Sequence, residues 1–443
     1  MFSRFTLIFF LALALAAFLI LRPYIFAKAQ QPSIEDRLPD ADFLGHARIL
    51  NLAKETSSLL YNYKVPYREF LSEEFILSQA KNYGLQLQNP SYLFANEDGS
   101  WGGIVELTDS SKVYAGILKL KHLFPLKDTI IANKAVFHFA KTNGFLMYDN
   151  NYIFFYQGKD PKKYIARVAN AKANQISFNW RNFLNSKKHL AKSLSIYSNW
   201  QKLKDVTISE AFAYPVIDST HITLYTQLQS KDTLPIQLKP SGMNFKKASN
   251  TEKLINLHID HSRLKENTIH PFHTFLMKQG RRIGFPTEQF LQVWDGDLSF
   301  SQGGFVTTKE KYIESELDED FNVSEIEKER NVQVPGFALM FSTNDGGLIF
   351  FKRLLQKGVL TEQEDGVHFL LSPALRVQKS RKNQLYFSSY SAPKRVKDST
   401  SQIQWIHRGT DYTFTIDSIH TFDFYGKLNF PLNRILKMNN LTQ

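Results

Sequence analysis

The chain contains no cysteine. Disulfides, thiol nucleophiles, iron–sulfur clusters and cysteine-based zinc sites are therefore excluded, and stability has to come from burial. Gly-x-Ser-x-Gly, a P-loop, a post-strand Gly-x-Gly-x-x-Gly and His-Glu-x-x-His are missing as well. That removes the common hydrolase elbow, the nucleotide-binding loops and the metalloprotease helix. Acid is in short supply: 42 Asp and Glu stand against 54 Lys and Arg, a formal charge of +12. Such an excess favours an anionic partner. The basic pairs Lys187-Lys188, Lys246-Lys247, Arg281-Arg282 and Lys394-Arg395 are scattered, with no recognition motif around them. No nucleic acid is expected; a solvated surface is the plainer reading, and anionic lipid headgroups or envelope glycan are the alternative.

Aromatic residues are plentiful, with 37 Phe and 19 Tyr, which suits β-rich packing. A chain of 443 residues, 43% hydrophobic, can bury a large core in two or three domains. The long apolar run from Phe5 to Leu21 lies between Arg4 and Arg22-Pro23. As a helix it would span about 25 Å, enough for a transmembrane anchor with snorkelling flanks. The positive amino terminus predicts a single-pass protein of the bacterial inner membrane, with its bulk extracytoplasmic in the periplasm. Ala27-Lys28-Ala29 offers the alternative of signal cleavage and secretion. Residues 1–29 are thus a signal-anchor and 30–41 a linker containing Pro32 and Pro39.

Two stretches read alike. Ser72 caps a helix that begins Glu73-Glu74-Phe75. The strands Ser91–Asn96 and Gly102–Leu107 follow, then the cap cluster Thr108–Ser111, a helix to Leu120, and an aromatic hairpin ending Tyr152–Tyr156. From Thr287 a helix, the strand Asp297–Phe300, Gly303-Gly304, the strand Phe337–Phe341, the cap cluster Ser342–Asp345 and a helix through Leu355 repeat that order, ending in Leu385-Tyr386-Phe387. The predicted fold is α+β, in two related halves of antiparallel sheet plus helices. The first half is 42–175, the second 286–443, and a connecting β-rich segment, 176–285, joins them. Within the second, the acidic insertion 307–334 reads as a solvated helix or mobile loop, or one that docks on a basic face. Asp160-Pro161 predicts a helix start with an aspartate cap. Leu432–Gln443 reads as a short exposed helix or frayed end.

Four of the twelve histidines fall between His258 and His273. With Asp260, the residues His258, His261, His270 and His273 form a candidate zinc set, because imidazole and carboxylate can hold the metal and leave a position for water. On a strand, His258 and Asp260 would share the wet face and Ile259 would point inward. Polar surface histidines around a turn are the plainer reading, and no resident cofactor is expected. Asp295-Gly296-Asp297 reads as a turn in which Gly296 supplies backbone freedom while the aspartates cap and meet solvent.

Leu38-Pro39-Asp40-Ala41-Asp42, the Ser-Glu-Glu-Phe helix and Trp294-Asp295-Gly296-Asp297 together give a resemblance. Over roughly 38–390 the chain resembles bacterial envelope proteins that carry a domain of unknown function. The resemblance implies an exported protein of two α+β halves and transfers no functional residue. The expected role is a membrane-anchored, extracytoplasmic envelope protein, non-enzymatic, binding or scaffolding another envelope protein, lipid or glycan in a groove between the halves; the aromatic hairpins could line it, with ordinary sheet core as their plainer role. A metal-assisted hydrolase using the histidine cluster and a lipid-binding carrier are the alternatives.

Overall fold

The computed structural model describes residues 31–62, 72–123, 125–199, 208–218, 221–239, 243–247, 251–282, 284–317, 323–363, 366–369, 372–379, 383–389, 394–398, 400–407 and 409–431. The apolar run Phe5–Leu21, Ala27-Lys28-Ala29 and Leu432–Gln443 lie outside them. Among the described residues no helix is long and apolar enough to cross a membrane. They fall into two compact units, one of the described residues within 31–52 and 73–193, the other of those within 53–72 and 194–431.

The first unit holds the helices α1 (Ile34–Arg37), α2 (Ile49–Asn62, which runs on past the unit's first segment), α3 (Glu73–Asn82), α4 (Ser110–Leu123), α5 (Pro161–Ala169), α6 (Phe178–Asn185) and α7 (Lys187–Leu190). Its strands are β1 (Phe43–Ala47), β2 (Ser91–Ala95), β3 (Trp101–Glu106), β4 (Leu126–Ile131), β5 (Lys134–Phe139), β6 (Gly144–Tyr148) and β7 (Tyr152–Gln157). They pair antiparallel in the order β1-β2-β3-β7-β6-β5-β4. Strand alternation decides what each face of β7 does. Tyr152, Phe154 and Tyr156 are buried, and Phe94 stacks on Phe154 and Tyr156 at 6.1 and 6.3 Å. Tyr164 of α5 closes that stack at 4.6 Å from Tyr156. These rings are core and line no groove. On α5, Tyr164, Ile165 and Val168 are buried at the spacing of one helical face. The helix starts at Pro161 as expected, but Asp160 is left-handed and its side chain caps nothing. The β2–β3 turn uses Gly99 at φ +83°, and Gly102 lets the Phe94 ring approach to within 2.6 Å of where a Cβ would sit.

In the second unit the helices are α8 (Ser262–Glu266), α9 (Pro271–Arg282), α10 (Thr287–Val293) and α11 (Gly347–Gln356). Its strands begin with β8 (Leu194–Asn199), β9 (Ile208–Ile217), β10 (His221–Ser230), β11 (Gln237–Leu238), β12 (Met243–Lys247) and β13 (Lys253–Asp260). Next come β14 (Trp294–Leu317), β15 (Val323–Thr343), β16 (Leu360–Gln363), β17 (Gly366–Phe369), β18 (Ser372–Lys379) and β19 (Gln384–Ser388). The last are β20 (Lys394–Asp398), β21 (Gln402–His407), β22 (Thr410–Ile419) and β23 (Asp423–Pro431). Antiparallel pairing runs β8-β9-β10-β23-β22-β21-β13-β14-β15-β19-β18-β17-β16. The short β11 joins the end of β13, and β12 pairs with β20 as a separate ribbon. The helices α10 and α11 cover one face, burying Leu291, Trp294, Phe341, Phe350, Leu354 and Phe387 in one cluster. Each such side chain contributes about 2–3 kcal/mol of transfer free energy.

The expected fold class is corrected here. The chain is mostly sheet, with 48% of the described residues in strands and 27% in helices. Residues 176–285 are no connector: β9 and β10 lead into β23, and β13 lies in mid-sheet between β21 and β14. Period-2 patterning marks a strand but carries nothing about which distant strand it joins. The run β13–β19 does pair in the same order as β1–β7. That run starts at Lys253, inside the supposed connector, so the expected halves do not reappear. The acidic insertion is likewise corrected. Where described, it is neither helix nor loop but the outer part of the β14–β15 hairpin.

Candidate functional site

The sequence singled out His258, Asp260, His261, His270 and His273 as a set, and the fold separates them. His258 lies on β13 on the same face as the buried Leu254 and Asn256, so the face read as wet is the covered one and the side chain is buried. Asp260 accepts from the amide of Ser262 at 2.9 Å and starts α8. His261 packs on Trp294 at 4.5 Å between ring centres, with Nε2 3.2 Å from the Leu291 carbonyl. His270 accepts the Phe272 amide on Nδ1 at 3.1 Å, while His273 lines a surface cavity. Among the described residues, no three His, Asp or Glu side chains are grouped to hold a metal ion.

What His258 does meet is Asp297, one strand over on β14. Its Nδ1 lies 2.9 Å from Asp297 Oδ1. Asp297 Oδ2 lies 3.4 Å from Lys239 Nζ, which also reaches Asp295 Oδ2 at 3.0 Å. The backbone holds both partners in place. Ser401 Oγ accepts from the His258 amide at 2.9 Å, Ser342 Oγ from the Asp297 amide at 3.0 Å, and Trp294 Nε1 donates to the Asp297 carbonyl at 2.8 Å. Gly296, at φ +92°, is required because a Cβ there would sit 1.8 Å from the Ile259 carbonyl oxygen. Burial pushes the Asp297 carboxyl up, but the hydrogen bond from His258 and the Lys239 charge outweigh it, and the net displacement is downward. Burial pulls Lys239 down, whereas Asp295 and Asp297 raise it further. Both therefore stay ionised, and Asp297 calls for a proton on His258 Nδ1. The remaining nitrogen, Nε2, is buried and has no hydrogen-bond partner among the described residues. The chemistry here is a fixed Lys–Asp–His charge cluster in the core. Turn reasoning had placed Asp297 in solvent.

Three other buried histidines set a pH expectation. Burial lowers His46, His189 and His261, and cations at Arg48, Lys188 with Lys192, and Lys265 add to it. Unfolded imidazoles titrate near about 6.5. Below that value the unfolded chain binds protons the folded one refuses, so stability falls with acidification until the lowered folded values are passed. Asp297 acts in a separate window. Its contribution is present above about 3.9 and is lost as pH falls through its depressed folded value. The urea midpoint is expected to drop between about pH 7.5 and pH 5.5, and a flat profile there would refute the assignment.

Two surface features remain. Beside α9 an open cavity of about 860 Å³ is lined by His273, Met277, Lys278, Arg281 and Arg282, with Glu288 as its acidic member. The outer β14–β15 hairpin is the other. Beyond Gln302, β14 has no further pairing with β13, and before Phe337 β15 has none with β19. From Phe305↔Pro335 to Leu317↔Val323 the two strands pair only with each other among the described residues. At about 3.4 Å per residue this arm is about 40 Å long. Lys328 pairs with Glu314 at 2.8 Å and also with Glu316, and Lys309 pairs with Glu329 at 2.9 Å. Ile313 and Val323 are each 67% exposed.

No family model and no curated protein matches the chain. Among solved structures it is similar to crystal form III of TP0453, with 10% identity and a TM-score of 0.31 over 47% of this chain and 83% of that one. Crystal form I of TP0453 gives 9% identity and 0.30, over 47% and 82%. Likeness at this level supports no statement about fold or function.

Proposed function

We propose that the chain is a non-enzymatic binding and scaffolding protein of the bacterial envelope, and that it captures an extended segment of another envelope protein along the β14–β15 arm. The observation that carries this is the arm itself, a ribbon whose two strands pair in register from Phe305↔Pro335 to Leu317↔Val323, beyond the last pairs with β13 and β19. Unpaired N–H and C=O groups along a strand edge are a template for an added strand. The charged pairs on the arm discourage indiscriminate sheet growth, while Phe305, Ile313, Val323 and Ile326 stay exposed for side-chain selection. The envelope location rests on Arg4 and the apolar run Phe5 to Leu21.

The test places a photo-cross-linking residue at Ile313 and at Val323, with Ile130 of β4 as control, in cells. One discrete adduct at both arm sites, absent at Ile130, is expected. No adduct at the arm sites, or equal labelling at Ile130, refutes the arm as the docking element.

A further inference from the structure

The segment that opens α9 exposes apolar residues that the fold leaves uncovered. Ile269 is 89% exposed, Phe272 38% and Phe275 53%. On a helix of 3.6 residues per turn, Phe275, Lys278 and Arg282 fall on one side, with Phe272 at its margin. Arg281 and Arg282 end the helix, and α9 contains no acidic residue. The adjoining cavity brings Lys278, Arg281, Arg282 and His273 together at its wall. Lys and Arg in the last turn also suit the helix macrodipole. The macrodipole does not account for two phenylalanines and an isoleucine held in water beside them. Apolar residues flanked by a cationic cluster on one exposed helix face form the pattern of an element lying in a membrane interface.

We propose that α9 docks on a bilayer: Ile269, Phe272 and Phe275 enter the boundary between headgroups and acyl chains, and Lys278, Arg281 and Arg282 bind anionic lipid headgroups. Charge complementarity selects this occupant, because the patch is cationic in a chain of net +12. Each basic residue near an anionic surface contributes about fivefold in partitioning. Losing all three charges should therefore weaken the contact by about a hundredfold, and reversing them by more. The arm plays no part, so the two proposals stand or fall separately.

The absence of cysteine allows a direct test on the full chain. Ile269→Cys and, as control, Ile130→Cys of the other unit (Ile130 is 78% exposed) each provide one thiol for an environment-sensitive fluorophore. Each labelled protein is reconstituted into phosphatidylcholine vesicles with or without phosphatidylglycerol, so any lipid contact made by the amino-terminal apolar run is common to all samples. A blue shift and quenching by lipid-borne nitroxide are expected at Ile269 in phosphatidylglycerol vesicles, and not at Ile130. Lys278→Glu with Arg281→Glu and Arg282→Glu should abolish both signals. A response equal to that of Ile130 overturns the proposal. The same response in pure phosphatidylcholine overturns the headgroup assignment. A blue shift before any vesicle is added shows that protein covers the helix and overturns it too. Deleting 307–334 should leave the lipid signal in place.

Discussion

Asp297→Ala is expected to lose about 3–5 kcal/mol of folding stability, the range for removing one partner of a buried ion pair. The loss has two sources. His258 Nδ1 loses its 2.9 Å acceptor in a site where Nε2 already has no partner among the described residues. Lys239 loses the buried one of its two carboxylates and keeps the exposed Asp295. An uncompensated buried polar group carries its full desolvation penalty. Asp297→Asn should cost less, because the amide oxygen can still accept from His258. Urea titration at neutral pH measures both variants. Should alanine cost less than about 1 kcal/mol, the cluster is ornamental to the fold and the account of Asp297 fails.

Trp180→Ala should be comparably damaging in the other unit, about 3–5 kcal/mol for a fully buried tryptophan. The indole packs edge-on to Tyr92 at 5.9 Å and against Phe183 at 6.0 Å. Its Nε1 donates to the Pro39 carbonyl at 2.7 Å, joining α6 to the chain just before β1. Truncation opens a cavity and strands a buried acceptor together. Trp180→Phe separates the two, because it fills most of the volume without the N–H, and should recover more than half of the loss. Thermal unfolding followed at a Tyr92-sensitive near-ultraviolet band would show this. Equal destabilisation by Phe and Ala would mean that the hydrogen bond, and not packing, dominates.

How much of this was legible depended on range. Local signals carried well. Glu73 and Glu74 do begin α3, Asn96–Gly99 does turn between β2 and β3, and Thr287–Val293 is helical before Trp294. Longer-range facts left little trace. Nothing local in Ile222-x-Leu224 announces that β10 pairs with residues near Leu428. The hairpin arm hid behind its own composition, since glutamate-rich stretches read as solvated helix or loop while alternation across a ribbon uses the same residues. The histidine set failed for a related reason. Parity put His258 and Asp260 on one face of β13, but what packs over that face, which parity does not carry, decides whether it is wet. Asp297 and Lys239, missed as partners, are 58 positions apart and meet only once β11, β13 and β14 align. Sheet core was the plainer reading of the β7 rings, and the structure buries them, but their lid, α5, could not be read from the sequence.

The pairing of β10 with β23 has a consequence for synthesis. Thr226 and Gly426, joined across that pair, are 200 residues apart. As the polypeptide emerges from its amino end, β8, β9 and β10 are complete long before β23 exists, and one flank of β10 must wait. Closing so wide a loop is slow. Any nascent or truncated chain ending ahead of Asp423 presents that flank to its neighbours, which makes premature termination there a route to aggregates and gives a holding chaperone its natural target.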